Sequence, residues 1–212
     1  MCNPSDSNWI KECIDERMAN IHFFSNQCKS KREVWVVTRF LSQLGLEFPD
    51  DEIVASSDEP ADVVFRDARF QVKEILDENR RRHDEYREAL QKAEGATSDS
   101  GLFERRPGTK GIVCADLVPI VAKKAGEYQE RYGPSERTSV DLLFYVNLRV
   151  HVIDNELPPL KHYSSELEAW RSVSAYSDDC SFVLYVSQDA PSFIKNAAGQ
   201  VHRDPSPWWV DD

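Results

Sequence analysis

Glycine is scarce, with 8 residues in 212, which excludes a collagen-like repeat or a flexible Gly/Ser linker protein. No apolar run approaches the roughly 20 residues of a membrane-spanning helix, so no membrane partner is expected. The first twenty residues carry Asp6, Glu12, Asp15 and Glu16 and lack a basic start and an unbroken apolar stretch, unlike a secretory signal. The five cysteines, Cys2, Cys13, Cys28, Cys114 and Cys180, contain no C-x-x-C pair, which removes a zinc ribbon or a thioredoxin-type motif. As an odd, scattered set they read as free thiols in a reducing cytoplasm. The five histidines show no H-x-x-x-H or H-E-x-x-H spacing. A transition-metal site built from local ligands is therefore not expected, whereas a Cys–His pair assembled by the fold stays open.

What is present suffices for a core. Hydrophobic residues make up 41% and aromatics 10% of the chain, far from the composition of a disordered protein. The 26 Lys and Arg stand against 37 Asp and Glu, a formal net charge of −11. That balance argues against a protein that simply coats DNA, because phosphates are neutralised by cations. The excess is uneven: acids outnumber bases by 5 in residues 1–59 and by 6 in residues 111–212, while residues 60–110 hold 11 of each. A basic face therefore remains available in the middle segment.

Periodicity divides the chain into helices and strands. Ile10, Ile14, Ile21 and Phe24 predict a first helix, and Val34, Val37, Leu41 and Leu44 a second over about 31–44, stopped by Gly45. Ile53-Val54-Ala55 reads as a short strand. Residues 60–66 and 69–75 read as two more, joined by a turn at Asp67-Ala68. Asp77–Arg81, Glu78–Arg82 and Glu88–Lys92 are acid-to-base pairs at i,i+4 and predict a charged helix over about 77–93. Residues 95–111 read as a loop, and 116–131 as a helix with Pro119 in its first turn. The apolar run Val140–Val146 predicts a strand buried on both faces. Ser165-x-x-Glu168 opens a helix to about Val173, and Phe182–Val186 is a last strand. With no repeat and no linker, a single domain over 1–212 is expected. Its class is α/β of the α+β type, a central mixed β-sheet flanked by helices.

One constellation carries chemistry. Alternation along a strand puts Asp62, Val64 and Arg66 on one face, and Gln71, Lys73 and Ile75 on one face of the partner. If Arg66 pairs with Arg69, Val64 opposes Gln71 and Asp62 opposes Lys73. An acid, an amide and an amine then share one surface within roughly 5–8 Å. Such a set suits phosphodiester hydrolysis with a divalent metal. Asp62 and Gln71 offer the oxygen ligands that Mg²⁺ or Mn²⁺ requires, and Lys73 orients water and stabilises phosphate charge. Glu33 is a further carboxylate on the second helix.

With Asp62 in Pro60-Ala61-Asp62 and Lys73 in Gln71-Val72-Lys73, the chain resembles the PD-(D/E)XK, or restriction-endonuclease-like, superfamily. That pattern has an acid at the start of one strand and acid-x-Lys on the next. The stretch from Arg32-Glu33-Val34 to Glu47-Phe48 is similar to the superfamily's first core helix, which often supplies a supporting Glu, here Glu33. The resemblance covers about 31–146, with an N-terminal helix and a C-terminal helix, strand and tail as additions. The whole chain also resembles an uncharacterised bacterial family described as endonucleases. The resemblance implies a restriction-endonuclease-like core and a Mg²⁺-dependent nuclease acting on DNA, with Asp62, Gln71, Lys73 and Glu33 as its site. The acid of acid-x-Lys is Gln71 here, as in some active members of the superfamily. Arg80 and Arg81 after the second strand, and Arg105, Arg106 and Lys110 on the loop, are the candidates for gripping phosphates.

Plainer readings stand beside these. Asp62 and Lys73 also suit a surface ion pair, and Arg80-Arg81-Arg82 an exposed helix laced with ion pairs. Gly108-Thr109-Lys110-Gly111 lacks the order of a phosphate loop. The alternative function is a catalytically inactive nuclease-fold module that binds nucleic acid or protein. A third is an interaction subunit that dimerises through the Trp208-Trp209 tail.

Overall fold

The computed structural model describes residues 4–78, 80–96 and 110–203. They belong to two compact units, residues 1–32 with 78–109 and residues 33–77 with 110–212. The first unit is helical. It contains α1 (Pro4–Phe23), the first turn of α2 (Lys29–Gln43) and α3 (Arg82–Glu94). Phe24, just past α1, stacks on Tyr86 of α3 at 5.2 Å, and the Arg82 guanidinium lies 4.1 Å from the Phe24 ring centre.

The second unit is built on a seven-stranded mixed sheet. Its strands are β1 (Ile53–Ala55), β2 (Val63–Phe65), β3 (Ala68–Leu76), β5 (Asp141–Asn147), β7 (Ser172–Tyr176), β8 (Ser181–Val186) and β9 (Val201–His202), in the spatial order β1-β2-β3-β5-β7-β8-β9. The first three form an antiparallel meander, β3, β5 and β7 run parallel, and β8 and β9 return antiparallel. A separate parallel pair joins β4 (Lys110–Ile112) to β6 (Val150–Val152). The remaining helices are α4 (Cys114–Gln129), α5 (Pro134–Arg137), α6 (Ser164–Leu167) and α7 (Ser192–Asn196). This is the mixed sheet flanked by helices that the periodicity implies.

Strand alternation sorts the core into two layers. Leu142, Phe144 and Val146 of β5 and Ile75 of β3 pack with Leu117, Val118 and Val121 of α4. Leu143 and Tyr145 of β5 and Phe70 and Val72 of β3 pack with Val36, Val37 and Phe40 of α2 and Ile194 of α7. The run over 140–146 is apolar without alternation because β5 meets a helix layer on each face.

Three local expectations are corrected. The β2–β3 turn is Arg66-Asp67, not Asp67-Ala68, and Phe65 pairs with Ala68. Arg66 takes a positive φ of 53°, an uncommon conformation for a residue with a side chain. Its side chain is held by Glu52 at 3.1 Å and lies 4.6 Å from the Phe65 ring centre. Val64 consequently faces Arg69 rather than Gln71. The change is by two residues, so every side chain keeps its face. Second, α3 starts at Arg82 rather than near 77, because β3 continues to Leu76 and Asp77 accepts a bond from Arg149 N at 3.0 Å. Third, the helix from Ser165 ends at Leu167, and Ser172–Tyr176 is β7. The small residues of Ser-Val-Ser-Ala fit between β5 and β8, where all five positions of the strand are buried.

The parallel strands are tied at their N-terminal ends by Asp141, which is 1% exposed. Its carboxylate accepts bonds from Arg69 N at 3.0 Å, Ser172 Oγ at 2.8 Å and Arg171 Nε at 3.1 Å, with a second bond from the same guanidinium. Removing one partner of a buried ion pair strands the other charge and costs about 3–5 kcal/mol. Asp141→Ala is expected to lower the free energy of unfolding by that amount in urea denaturation. A loss below about 1 kcal/mol would contradict a central role for this pair.

Candidate active site

Gln71 and Lys73 lie on the face of β3 that looks toward α4, together with Ile75. Gln71 is 2% exposed, so both ends of its amide need partners within the protein. The Nε2 donates to Asp62 Oδ2, and the Oε1 accepts from the Tyr132 hydroxyl at 3.2 Å. Asp62 sits just before β2, where its backbone N donates to Phe70 O at 2.8 Å. The same Oδ2 accepts from Val72 N at 2.9 Å. An edge carboxylate is thereby fastened to the strand that carries Gln71 and Lys73.

Lys73 is half-buried, and its ammonium lies 5.5 Å from the ring centre of Tyr128 and 5.7 Å from that of Tyr132. Both are cation–π distances. Tyr128 and Tyr132 stand one helical turn apart, at the end of α4 and just beyond it, so they present to the same side. The sequence signals them only as part of a buried stripe. Their proximity to β3 depends on the α4–sheet packing, which no local pattern reveals.

The other predicted residues are distributed as follows. Glu33 belongs to the buried stripe of α2, a helix that packs on the opposite face of the sheet from Asp62, Gln71 and Lys73. Arg80 is held by Glu85 at 3.1 and 3.2 Å, and Arg81 is exposed at the N-terminus of α3. Lys110 is exposed at the start of β4. Arg105, Arg106, Trp208 and Trp209 lie outside the described residues.

Cysteine chemistry is muted. The Cys114 thiol is pushed up to about 12, mainly by burial and then by Asp154, and burial also raises Cys180. Thiols held protonated in this way are poor nucleophiles. In the helical unit, Cys28 Sγ is 3.4 Å from His22 Nε2, but Cys28 is buried.

The oxygens near Lys73 form a sparse donor set. Among the described residues no group of three or more His, Cys, Asp or Glu side chains gathers where a metal could sit. Mg²⁺ keeps several waters and binds through as few as one or two carboxylates plus substrate phosphate. Asp62 with Gln71 Oε1 fits that minimal demand once the amide oxygen leaves Tyr132.

No match was found among curated proteins. Among solved structures, the fold is similar to that of a protein of unknown function from Pseudomonas aeruginosa strain PAO1, described as of the monooxygenase superfamily. The identity is 26%, the match covers 92% of this chain and 94% of that chain, and the TM-score is 0.57. A family profile described as "Putative endonuclease, protein of unknown function (DUF1780)" matches residues 5–206. Nearly the whole chain is matched, and it belongs to that family.

Proposed function

We propose that the protein is a Mg²⁺-dependent nuclease of the PD-(D/E)XK type that hydrolyses phosphodiester bonds in DNA. The observation that carries this reading is the Asp62 carboxylate bonded to Gln71, with Lys73 two residues further along the same face of β3. The order helix, three antiparallel strands, helix, parallel strand, formed by α2, β1, β2, β3, α4 and β5, supports it, as does the family's description. The solved neighbour, itself of unknown function, is described as of the monooxygenase superfamily. Asp62, Gln71 and Lys73 favour phosphodiester chemistry over it.

In this reading Asp62 and Gln71 Oε1 hold the cation. When bound, Mg²⁺ polarises the scissile phosphate and lowers the pKa of water. Lys73 supplies positive charge beside the phosphate and donates to the attacking water. Tyr128 and Tyr132 keep its ammonium from swinging into solvent, through ring contacts worth about 0.5–2 kcal/mol. Glu33 on the α2 face takes no part.

A second reading, an inactive nuclease-fold module, is favoured by one observation. Both polar ends of Gln71 are already engaged, and the site rests as a closed chain from Tyr132 through Gln71 to Asp62.

Two experiments follow. Plasmid, linear and single-stranded DNA incubated with the protein and Mg²⁺ or Mn²⁺ are expected to be cut. Lys73→Ala is expected to cut at least about 100-fold more slowly, the scale of a lost charge-stabilising donor. Survival of every substrate, or equal cleavage by Lys73→Ala, would sink the nuclease reading. Tyr132→Phe separates the two readings. It removes the bond to Gln71 Oε1, which is expected to cost about 1 kcal/mol of stability. It is also expected to tighten Mn²⁺ binding measured by calorimetry. Undetectable Mn²⁺ binding in both proteins would favour the inactive module.

A further inference from the structure

Lys73 has a second cation beside it on this face. Arg131, beyond the end of α4, is exposed, and its guanidinium lies 5.0 Å from the centre of the Tyr128 ring that also receives Lys73. Tyr132 packs edge-on against Trp170 at 5.8 Å. Arg171, which follows Trp170, donates its backbone N to Arg137 O at 3.0 Å and so ties Arg137 at the end of α5 to this group. Ring contacts thus link Arg131, Tyr128, Lys73, Tyr132 and Trp170, and the backbone bond at Arg171 sets the Arg137 main chain next to them.

Two features of this group point to an anionic ligand. Among the described residues, Lys73, Arg131 and Arg137 have no carboxylate within ion-pair distance, in a chain with 11 more acids than bases. Two neighbouring acids are engaged elsewhere: Glu127 pairs with Lys124, and Glu136 accepts from Gly133 N. Independently, Arg137 Nε is buried with no hydrogen-bond acceptor. Buried donors are seldom left without a partner.

We infer that the surface formed by Arg131, Lys73 and Arg137 grips the phosphate backbone of a nucleic acid beside Asp62. The inference rests on the nuclease reading for the identity of the ligand. It moves the backbone-binding role from Arg80, which Glu85 already holds, to the segment after α4. Arg131 offers an exposed charge and Arg137 a half-buried one, while the Lys73 ammonium stands nearest the proposed reacting phosphate. Contacts of this kind position the strand without reading its sequence, so binding is expected to depend on salt rather than on base order.

The test is binding of a fluorescein-labelled 20-base-pair duplex in EDTA, by anisotropy over a salt series. In EDTA the measurement is independent of cleavage. Arg131→Ala and Arg137→Ala are each expected to weaken binding by about 3- to 10-fold and to reduce the slope of log K against log salt by about one. Lys195→Ala, on α7 across the sheet, is expected to leave both unchanged. Arg137 is partly buried, so Arg131→Glu carries the test if Arg137→Ala does not fold. A wild-type protein that does not bind, or an Arg131→Glu variant that binds as wild type does, overturns the inference. If Arg131→Glu binds normally while Lys73→Ala abolishes cleavage, the grip fails and the nuclease reading stands. If Arg131→Glu loses binding while no variant cuts DNA, the grip stands and the nuclease reading fails.

Discussion

The structure depends on a constraint at β3. This strand is paired on both edges, by β2 and β5, and covered on both faces. A strand so enclosed normally carries only apolar residues, yet it holds Gln71 at 2% exposure, with Lys73 two positions on. An unsatisfied amide there would cost about 1–3 kcal/mol at each polar end. The amide therefore dictates its surroundings: an acceptor at Asp62 on one side and a donor at Tyr132 on the other. The same demand that makes the fold locally consistent joins an acid, an amide and a tyrosine, and Lys73 lies against that tyrosine.

The frame that holds this point is anchored one residue earlier along the sheet. Phe70 of β3 pairs with Asp141 of β5, and Asp141 with Ser172 of β7. Asp141 is an apolar-layer position occupied by a charge, tolerated because the Arg171 fork, Ser172 and a backbone N–H neutralise and saturate it. Its bonds set the register of the three parallel strands. That register sets how far Gln71 stands from the helix supplying Tyr132. Stability and site geometry are thus coupled through two buried polar side chains on neighbouring strand positions.

Much of this is legible in the sequence, for identifiable reasons. The period of the α2 stripe and the unbroken apolar run of β5 announce themselves, because burial on one or two faces leaves a regular trace. The common face of Asp62, Gln71 and Lys73 is also readable, since alternation survives a register change of two. The pairing itself is not, because it turns on Arg66 accepting a positive φ that residue type does not advertise. β7 escapes notice because Ser, Val, Ser and Ala give little β signal, and their fitness lies in being small between two strands. Glu33 looks like a supporting carboxylate on the helix pattern, but a pattern does not say which face of the sheet a helix covers. Tyr128, Tyr132 and Arg131 are brought to the site by packing across about sixty residues of chain, a distance over which local spacing carries no information.

The central claim is that Asp62 and Gln71 hold a divalent cation beside Lys73. It is tested most directly by a crystal structure of the protein with Mn²⁺, using the anomalous signal of the metal. A peak is predicted within coordination distance of the Asp62 carboxylate and the Gln71 amide oxygen, with the amide turned away from Tyr132. The absence of a peak there at millimolar Mn²⁺, with the Tyr132–Gln71–Asp62 chain intact, would contradict it.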